Sequence, residues 1–510
     1  MTVRQKKLIV LVLVLLQCVG YAGLWALLHL PDVLPPVDNG WFTPGSAYMD
    51  SVDRLPLVAM LAAKPWTAGG LLLLDFALLC SLYTLSIGLV YRWALAISQR
   101  ALLSYTVCLA LPLLFLPHLF SSDVYSYAMF GRIPLLYGGN PFTDPPARFA
   151  TDQLLPHIYW KTTASVYGPA WIILSLPITA LAQVLGGGAG IYVLLYKLVG
   201  FGSYLASLTV IRRLLTDWMP QRATWGVLMY AWHPLVLIEF TGSGHNDSLM
   251  VLLILLALLF AHRQWHIVAV GLLVLAGLVK PVALALVPLY LLYTLRTTTK
   301  GRIALLAKQI AVGCAIVIAL YAPFWSGPAT LAILQTAPPL TLLHDSPADW
   351  VAAQLTSKAC IPVSRASPND GREPRTVPAL TCADDIQAQV RIASLALFML
   401  AFVGLLLWPV ASFNQLSERS AQLFLAYVLL AALHFEPWYI TWLLALTPLL
   451  RRPQIMLLLG GCTILLLYST LPVGGRLLLA YAPIGVELLR LTLRRISILS
   501  ASRRLRTRVG

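Results

Sequence analysis

The composition of the 510-residue chain excludes a soluble globular protein, because 59% of its residues are hydrophobic and only 11% are charged. Soluble domains carry roughly 25% charged residues and about half apolar ones. The formal net charge of +16 would favour nucleic-acid binding in a soluble protein. Here the basic residues lie between apolar runs, so the sequence predicts a polytopic membrane protein that binds no nucleic acid.

Apolar runs that resemble membrane spans recur along the whole chain. A spanning helix needs about 20 apolar residues. The predicted membrane segments are residues 8–28, 70–91, 101–120, 169–186, 190–210, 223–240, 247–262, 266–279, 282–296, 303–324, 391–410, 420–435, 438–450, 454–471 and 474–490. Several are short, which indicates broken or tilted helices packed against other protein. We expect an all-α bundle of about 13 to 15 membrane segments.

The charges predict how the chain is oriented in the membrane. The N-terminus begins like a signal peptide, but its apolar run continues without a clear cleavage site, so we predict an uncleaved first helix. Basic residues beside this helix, and the basic tail 491–510, place both termini in the cytoplasm, with the tail against anionic lipid headgroups. Between 169 and 213, either one run is re-entrant or Arg212 and Arg213 lie outside.

Long polar loops at 29–66, 121–168 and 326–390 are predicted on the extracytoplasmic side. The third loop contains Cys360 and Cys382, and we expect a disulfide between them because this face is oxidising. The alternative is two free thiols, since spacing alone does not establish pairing.

The first polar cluster begins with SSDVYSYAMFGR, residues 121–132, directly after an apolar run. Asp123 follows two serines, and its simplest role is to cap a helix on the membrane surface. The loop also concentrates aromatic, amide and cationic groups, including Tyr127, Arg132, Asn140 and Tyr167. Aromatic residues are common at membrane interfaces, but a simple connection would not need so many polar groups.

Three further clusters are predicted on the same outer side. The segment WHPLVLIEFTGSGHNDSLM contains His233, His245, Asn246 and Asp247. Lys280 lies between two short apolar runs. A lysine at the bilayer centre costs roughly 2.5–3.5 kcal/mol and usually has a partner or a function; the alternative is that it extends to the interface.

The fourth cluster, HFEPWYITW, contains Glu436, Trp438 and Tyr439. Together the four clusters predict a pocket at the membrane surface for a substrate with an anionic headgroup and a lipid tail. Cationic groups would hold a phosphate, and a carboxylate would deprotonate an acceptor hydroxyl. The sequence has no dense carboxylate cluster and no recognisable zinc spacing, so we expect no cofactor and do not favour a divalent metal.

These blocks carry a family resemblance. DVYSYAMFGRIPLLYGGNPF, VYGPAW, HPLVLIEFTGSGHNDSLM, GLVKP and PWYITWLLAL resemble the bacterial polyprenol-phosphate-mannose-dependent alpha-mannosyltransferases of the GT-C superfamily, in the family's order. The resemblance covers roughly residues 101 to 450 and leaves the third outer loop and the N-terminal region unmatched. It implies a GT-C-type bundle in a bacterial plasma membrane, whose first large outer loop carries juxtamembrane helices and a catalytic acid.

In this chain the implied acid is Asp123, acting as general base while polyprenyl phosphate departs with inversion. For the phosphate we expect Lys280, Arg132 and His245, in that order, whereas Asn246 and Asp247 would bind sugar hydroxyls or brace the loop. Many GT-C relatives carry paired acids in this loop, and the single Asp123 favours a metal-free site. Neither the sugar nor the acceptor, which could be a glycolipid, a polysaccharide or a protein, follows from the sequence.

The predicted domain organisation has four parts: a GT-C-like membrane module at 1–325, an outer loop at 326–390, C-terminal membrane helices at 391–490, and the tail 491–510. The rival function is a transporter or lipid flippase, whose signature would be inverted repeats and broken helices. We find broken segments but no internal duplication, so a transferase is favoured. A scaffold would explain the apolar bulk but not the polar clusters.

Overall fold

The computed structural model describes residues 2–28, 65–115, 120–333, 341–360, 378–451, 455–468 and 477–486. Within these ranges the chain is helical, and its only β-type pairings are two isolated bridges. The prediction of an all-α membrane protein is confirmed. Most of the predicted loop 29–66, the middle of the loop 326–390 and the whole tail 491–510 lie outside the described residues.

The principal helices follow one another with short connections. They are α1 (Val3–Leu28), α2 (Pro65–Arg92), α3 (Gln99–Leu114), α4 (Asp123–Tyr137), α5 (Pro169–Val184), α6 (Ala189–Trp218), α7 (Ala223–Ala231), α8 (Asp247–His262), α9 (His266–Val279), α10 (Leu286–Thr297), α11 (Arg302–Tyr321), α12 (Pro347–Ala359), α13 (Pro378–Leu407), α14 (Phe413–Ala426), α15 (Ile440–Leu446), α16 (Ile455–Ile464) and α17 (Leu477–Val486).

Five of the described helices are long and apolar enough to cross a membrane, namely α1, α2, α6, α11 and α13. A sixth candidate is the pair Pro234–Gly242 and Asp247–His262, which is bent by 116°. Six shorter apolar helices of 10–17 residues accompany them. The number of 13 to 15 membrane segments therefore stays a prediction, as do the sides on which the termini lie.

Two predicted segments differ in the structure. The run 223–240 is not one helix, because α7 ends at Ala231 and a new helical segment starts at Pro234, whose ring disfavours a helical residue before it. Helix α13 begins at Pro378, inside the predicted loop 326–390, and crosses the predicted boundary at 390. The two runs in 169–213 are both helices, α5 and α6, joined by a turn in which Gly186 and Gly187 have positive φ.

A disulfide joins the two ends of the third outer loop. Cys360, directly after α12, is bonded to Cys382 in the first turns of α13, and their Cα atoms are 6.0 Å apart. The two helices also pack against each other. The described part of this loop is therefore fixed to the membrane helix that follows it.

Helix α6 supports the centre of the bundle. The fully buried Lys197 donates hydrogen bonds from Nζ to the carbonyl oxygens of Leu113 and Leu114, at 2.7 and 3.3 Å. These are the last carbonyls of α3, which have no partner within their own helix. One turn further along α6, Gly200 contacts the carbonyl of Phe240 in the bent segment Pro234–Gly242.

This close approach generates a stability prediction. A β-carbon at Gly200 would lie 2.6 Å from the Phe240 carbonyl oxygen, whereas one at Gly202 on the same helix would meet nothing within 4 Å. We expect Gly200→Ala to lower the free energy of unfolding by about 1–3 kcal/mol because the backbones must separate. Gly202→Ala should be neutral or stabilising by up to about 1 kcal/mol, because alanine favours helix.

Thermal unfolding of the two purified variants, followed by tryptophan fluorescence, measures the difference. Equal stabilities would contradict a close contact between α6 and the bent segment.

Candidate active site

One cavity of about 310 Å³ collects residues from the first loop, the α9–α10 junction and the C-terminal helices. It is lined by Asp123, Ser126, Phe130, Trp160, Thr163, Ala164, Val166, Tyr167, Lys280, Pro281, Val282, Ile333, Tyr427, His434, Glu436, Trp438, Tyr439 and Trp442. Six of the residues predicted from the sequence are in this lining: Asp123, Tyr167, Lys280, Glu436, Trp438 and Tyr439. Residues far apart in the chain are thus brought into one largely apolar pocket, which is typical of a small-molecule site.

Asp123 is the first residue of α4, and Ser122 occupies the N-cap position. The capping role considered from the sequence therefore does not apply. The carboxylate oxygen Oδ2 accepts a hydrogen bond of 3.0 Å from the hydroxyl of Tyr167, and the side chain is 20% exposed. Burial, followed by the negative charge of Asp123, raises the pKa of Tyr167 well above its ordinary value. Tyr167 therefore remains protonated and holds the carboxylate at the cavity wall.

Lys280 enters the cavity from the break between α9 and the 3-10 turn Pro281–Ala285. Its ammonium donates to both carboxylate oxygens of Asp247, at 2.9 and 2.8 Å, and lies 4.8 Å from the ring centre of Tyr439. Asp247 is fully buried and also accepts a 2.6 Å hydrogen bond from the indole of Trp442. Asp247 does not line the cavity, so its place is to hold the Lys280 ammonium there.

His245 is fully buried behind the cavity and does not line it. Its ring stacks on Trp438 with centroids 3.9 Å apart. Nδ1 lies 4.0 Å from Asp123 Oδ2, and Nε2 lies 3.2 Å from Glu239 Oε2. The expectation that His245 contacts a phosphate is therefore wrong, because the indole of Trp438 and the two carboxylates occupy its surroundings.

Glu239 was part of the sequence cluster but was not selected as a site residue. It is fully buried and accepts a 2.6 Å hydrogen bond from the hydroxyl of Tyr468. An acidic residue inside an apolar run, six positions before His245, was the available signal.

Tyr127 and Asn246 form a buried layer beneath Asp123. The hydroxyl of Tyr127 donates to Asn246 Oδ1 at 3.3 Å and accepts from the Asn246 backbone N–H at 3.4 Å. Neither residue lines the cavity. They connect α4 to the start of α8 and thereby position Asp123 relative to Lys280.

Glu436 provides a second carboxylate in the cavity. Its Oε1 lies 2.9 Å from Nε2 of His434. Burial raises the pKa of Glu436, and the hydrogen bond with His434 acts in the opposite direction. His434 also lines the cavity and, like Trp160 and Trp442, was not selected from the sequence.

Arg132 does not reach the cavity, so its predicted phosphate contact is wrong. The side chain is buried within the first loop, where Nε pairs with Asp152 Oδ2 at 2.8 Å and Nη1 donates to the Tyr192 hydroxyl at 3.0 Å. The Asp152 side chain is itself fully buried. An uncompensated charge there would be costly, so the pair fixes α4 to the loop that follows it.

Asn140 and His233 also have structural contacts away from the cavity. Asn140 Nδ2 donates to the carbonyl of Phe324 at 2.7 Å and to Ser326 Oγ at 2.8 Å, which joins the first loop to the end of α11. His233 caps the bent segment by accepting from the backbone N–H of Leu235 at 3.2 Å. Both predicted substrate contacts are therefore replaced by roles in the fold.

Within the described part of the chain, no three His, Cys, Asp or Glu side chains are grouped so that they could hold a metal ion. The cavity instead combines a carboxylate at Asp123, an ammonium at Lys280, a carboxylate–imidazole pair at Glu436 and several aromatic rings. This set can accept a proton, bind an anion and contact the faces of sugar rings.

Comparison with known proteins gives the family. A family model described as "Alpha-(1->6)-mannopyranosyltransferase, N-terminal domain" matches residues 34–296, which include Asp123, Asp247 and Lys280 but not Glu436. The alpha-(1->6)-mannopyranosyltransferase A of Corynebacterium glutamicum is 30% identical over 193 residues, and the aligned part spans 35% of this chain and 36% of that relative. The family match covers more than half of the 510 residues, so the chain belongs to the alpha-(1->6)-mannopyranosyltransferase family.

Proposed function

We propose that the protein is a membrane mannosyltransferase that moves mannose from a polyprenyl-phosphate carrier to a hydroxyl of a glycan acceptor on the extracytoplasmic face. One observation carries the proposal: the carboxylate of Asp123 and the ammonium of Lys280 line the same cavity. A base for the acceptor and a cation for the leaving phosphate are the two groups that this transfer requires. The family membership supports mannose as the sugar.

Lys280 is suited to the donor phosphate. An ammonium carries three N–H donors, and Asp247 takes two of them. The third is available to a phosphate oxygen, because the Lys280 side chain is 15% exposed in the cavity wall. Negative charge grows on the phosphate as the sugar leaves, and a fixed cation at that position lowers the barrier.

Asp123 is suited to the acceptor. The acceptor oxygen attacks the anomeric carbon and loses its proton to Asp123, while the bond from that carbon to the phosphate oxygen breaks and its electron pair stays on the phosphate. A beta-linked donor gives an alpha product by this single inversion. The linkage in the family's name favours the 6-hydroxyl of a mannose as the attacking group. Because phosphate is a weak base, no general acid is required for its departure.

The proposal places the first loop, 121–168, and the cavity outside the plasma membrane, with both termini in the cytoplasm. The acceptor would be a glycolipid or polysaccharide, and the membrane would supply the donor. No metal has a role in these steps. A transporter of lipid-linked anions is the rival; the family membership and a carboxylate at the cavity wall favour chemistry over transport.

Replacing Asp123 tests the proposed base. We expect Asp123→Asn to lower the rate of mannose transfer about 10²–10⁴-fold, because the amide cannot accept the proton, and to leave binding of the donor lipid unchanged. Transfer of radiolabelled mannose from purified polyprenyl-phosphate-mannose to membrane glycolipid measures the rate.

Asp144→Asn is the matched control, since Asp144 lies in the same loop but outside the cavity. It should keep a rate close to that of the unaltered protein. Equal transfer by Asp123→Asn and the unaltered protein would rule out Asp123 as the base.

Replacing both members of the buried ion pair separates stability from donor binding. Lys280→Gln leaves Asp247 as an uncompensated buried charge, so we expect a loss of about 3–5 kcal/mol in the free energy of unfolding. The double variant Lys280→Gln/Asp247→Asn should recover most of this stability.

If Lys280 binds the phosphate, the double variant should still show at least a tenfold higher KM for the donor and an unchanged KM for the acceptor. Full recovery of donor KM in the double variant would show that Lys280 has only a structural role.

A further inference from the structure

Four rings form a continuous row across the mouth of the cavity. Tyr159 and Trp160 lie in the first loop with ring centroids 4.8 Å apart. Trp160 contacts the ring of His434 at 5.8 Å, and His434 stacks on His344 of the third loop at 4.8 Å. We call these four residues the aromatic row.

The aromatic row leads from the cavity to the surface in both directions. Its two inner members, Trp160 and His434, line the cavity, and the His434 side chain is only 15% exposed. Its two outer members are open, since Tyr159 is 75% exposed and the His344 side chain is 57% exposed. A ligand that fills the cavity can therefore continue over ring faces on leaving it.

The backbone fixes His344 in this position. His344 and His434 form a β-bridge in which His344 N–H donates to the carbonyl of Leu433 and Phe435 N–H donates to the carbonyl of His344, both at 2.9 Å. The next residue, Asp345, accepts at its carbonyl a 3.0 Å hydrogen bond from the hydroxyl of Tyr481. The contact is thus held by main-chain atoms, and the imidazole of His344 is not needed for it.

Polar atoms beside the row are prepared for hydroxyl groups. Among the described residues, Nε1 of Trp438 and Nδ1 of His434 are buried at the cavity and have no hydrogen-bond partner. The carboxylate of Glu436 lies next to them. A buried donor without a partner costs roughly 1–3 kcal/mol, so a ligand hydroxyl at these atoms would recover that energy.

We propose that the aromatic row is an acceptor subsite that binds a neutral oligosaccharide. The inference rests on the proposed function and adds the length of the acceptor: the terminal sugar enters the cavity, and the next sugars lie on the row. A cavity of about 310 Å³ is at the lower limit of ligand pockets, so the rest of a glycan chain must leave by the mouth. Sugar rings offer apolar faces to aromatic rings and hydroxyls to Trp438, His434 and Glu436.

His344 and His434 lie outside the region 34–296 that the family model matches. The third loop would therefore be the part of this chain that adapts a common transfer site to a particular glycan.

The test compares two acceptors, octyl alpha-mannoside and an octyl glycoside of an alpha-linked mannotriose, in the full-length protein. His344→Ala and Tyr159→Ala should each raise the KM for the mannotriose acceptor roughly two- to tenfold. The KM for the single mannoside, the KM for the donor and kcat should not change. His344→Phe, which keeps a ring, should retain most of the affinity for mannotriose.

Trp350→Ala is the matched control, because Trp350 is 38% exposed on α12 of the same loop and does not belong to the row. Equal effects of the row variants on both acceptors, or no effect on either, would overturn the subsite. So would an equal effect of Trp350→Ala, which would indicate that exposed aromatic residues here anchor the protein in the lipid interface.

Direct binding of the mannotriose acceptor to the purified protein distinguishes this inference from the proposed function. Binding that weakens in His344→Ala while even the unaltered protein transfers no mannose would support the subsite and contradict the transferase. Normal transfer with binding that is the same in His344→Ala and the unaltered protein would do the reverse.

Discussion

The buried ion pair between Asp247 and Lys280 is the interaction on which the cavity depends. Asp247 is the first residue of α8, Lys280 follows the last residue of α9, and the indole of Trp442 in α15 completes the contact. Three helix ends are thereby joined at one point. A charged pair placed in so apolar a bundle is stable only when each partner is satisfied. The pair therefore fixes where an ammonium can face the cavity.

The same broken helices create the second layer of the site. The bend of 116° before α8 keeps His245, Asn246 and Asp247 together at its corner instead of spreading them along one helix. Asn246 meets Tyr127 of α4, and His245 lies between Glu239 and the carboxylate of Asp123. Irregular backbone of this kind is tolerated at membrane depth only where it is enclosed by protein or lines a cavity. The irregularity and the proposed chemistry consequently occur at the same place.

Sequence reasoning located the cavity-lining residues that are rare in apolar surroundings. Lys280 and Glu436 were recognisable because a charge inside or beside an apolar run needs a reason, and the all-α class followed from composition. Pairing between distant residues was not readable. Arg132 binds Asp152, and Asn140 reaches Phe324, because the tertiary fold brings these partners together. The contact of His344 with His434 was equally hidden, since it depends on main-chain pairing between two separate loops.

The most direct test of the account is a cryo-electron-microscopy structure of the Asp123→Asn variant in lipid nanodiscs with polyprenyl-phosphate-mannose bound. The account predicts a phosphate oxygen within hydrogen-bonding distance of Lys280 Nζ, and the mannose between that phosphate and residue 123. The aromatic row would remain uncovered until an acceptor is added. A donor whose phosphate lies away from Lys280, or whose mannose points away from residue 123, would contradict the central claim that these two groups form the transfer site.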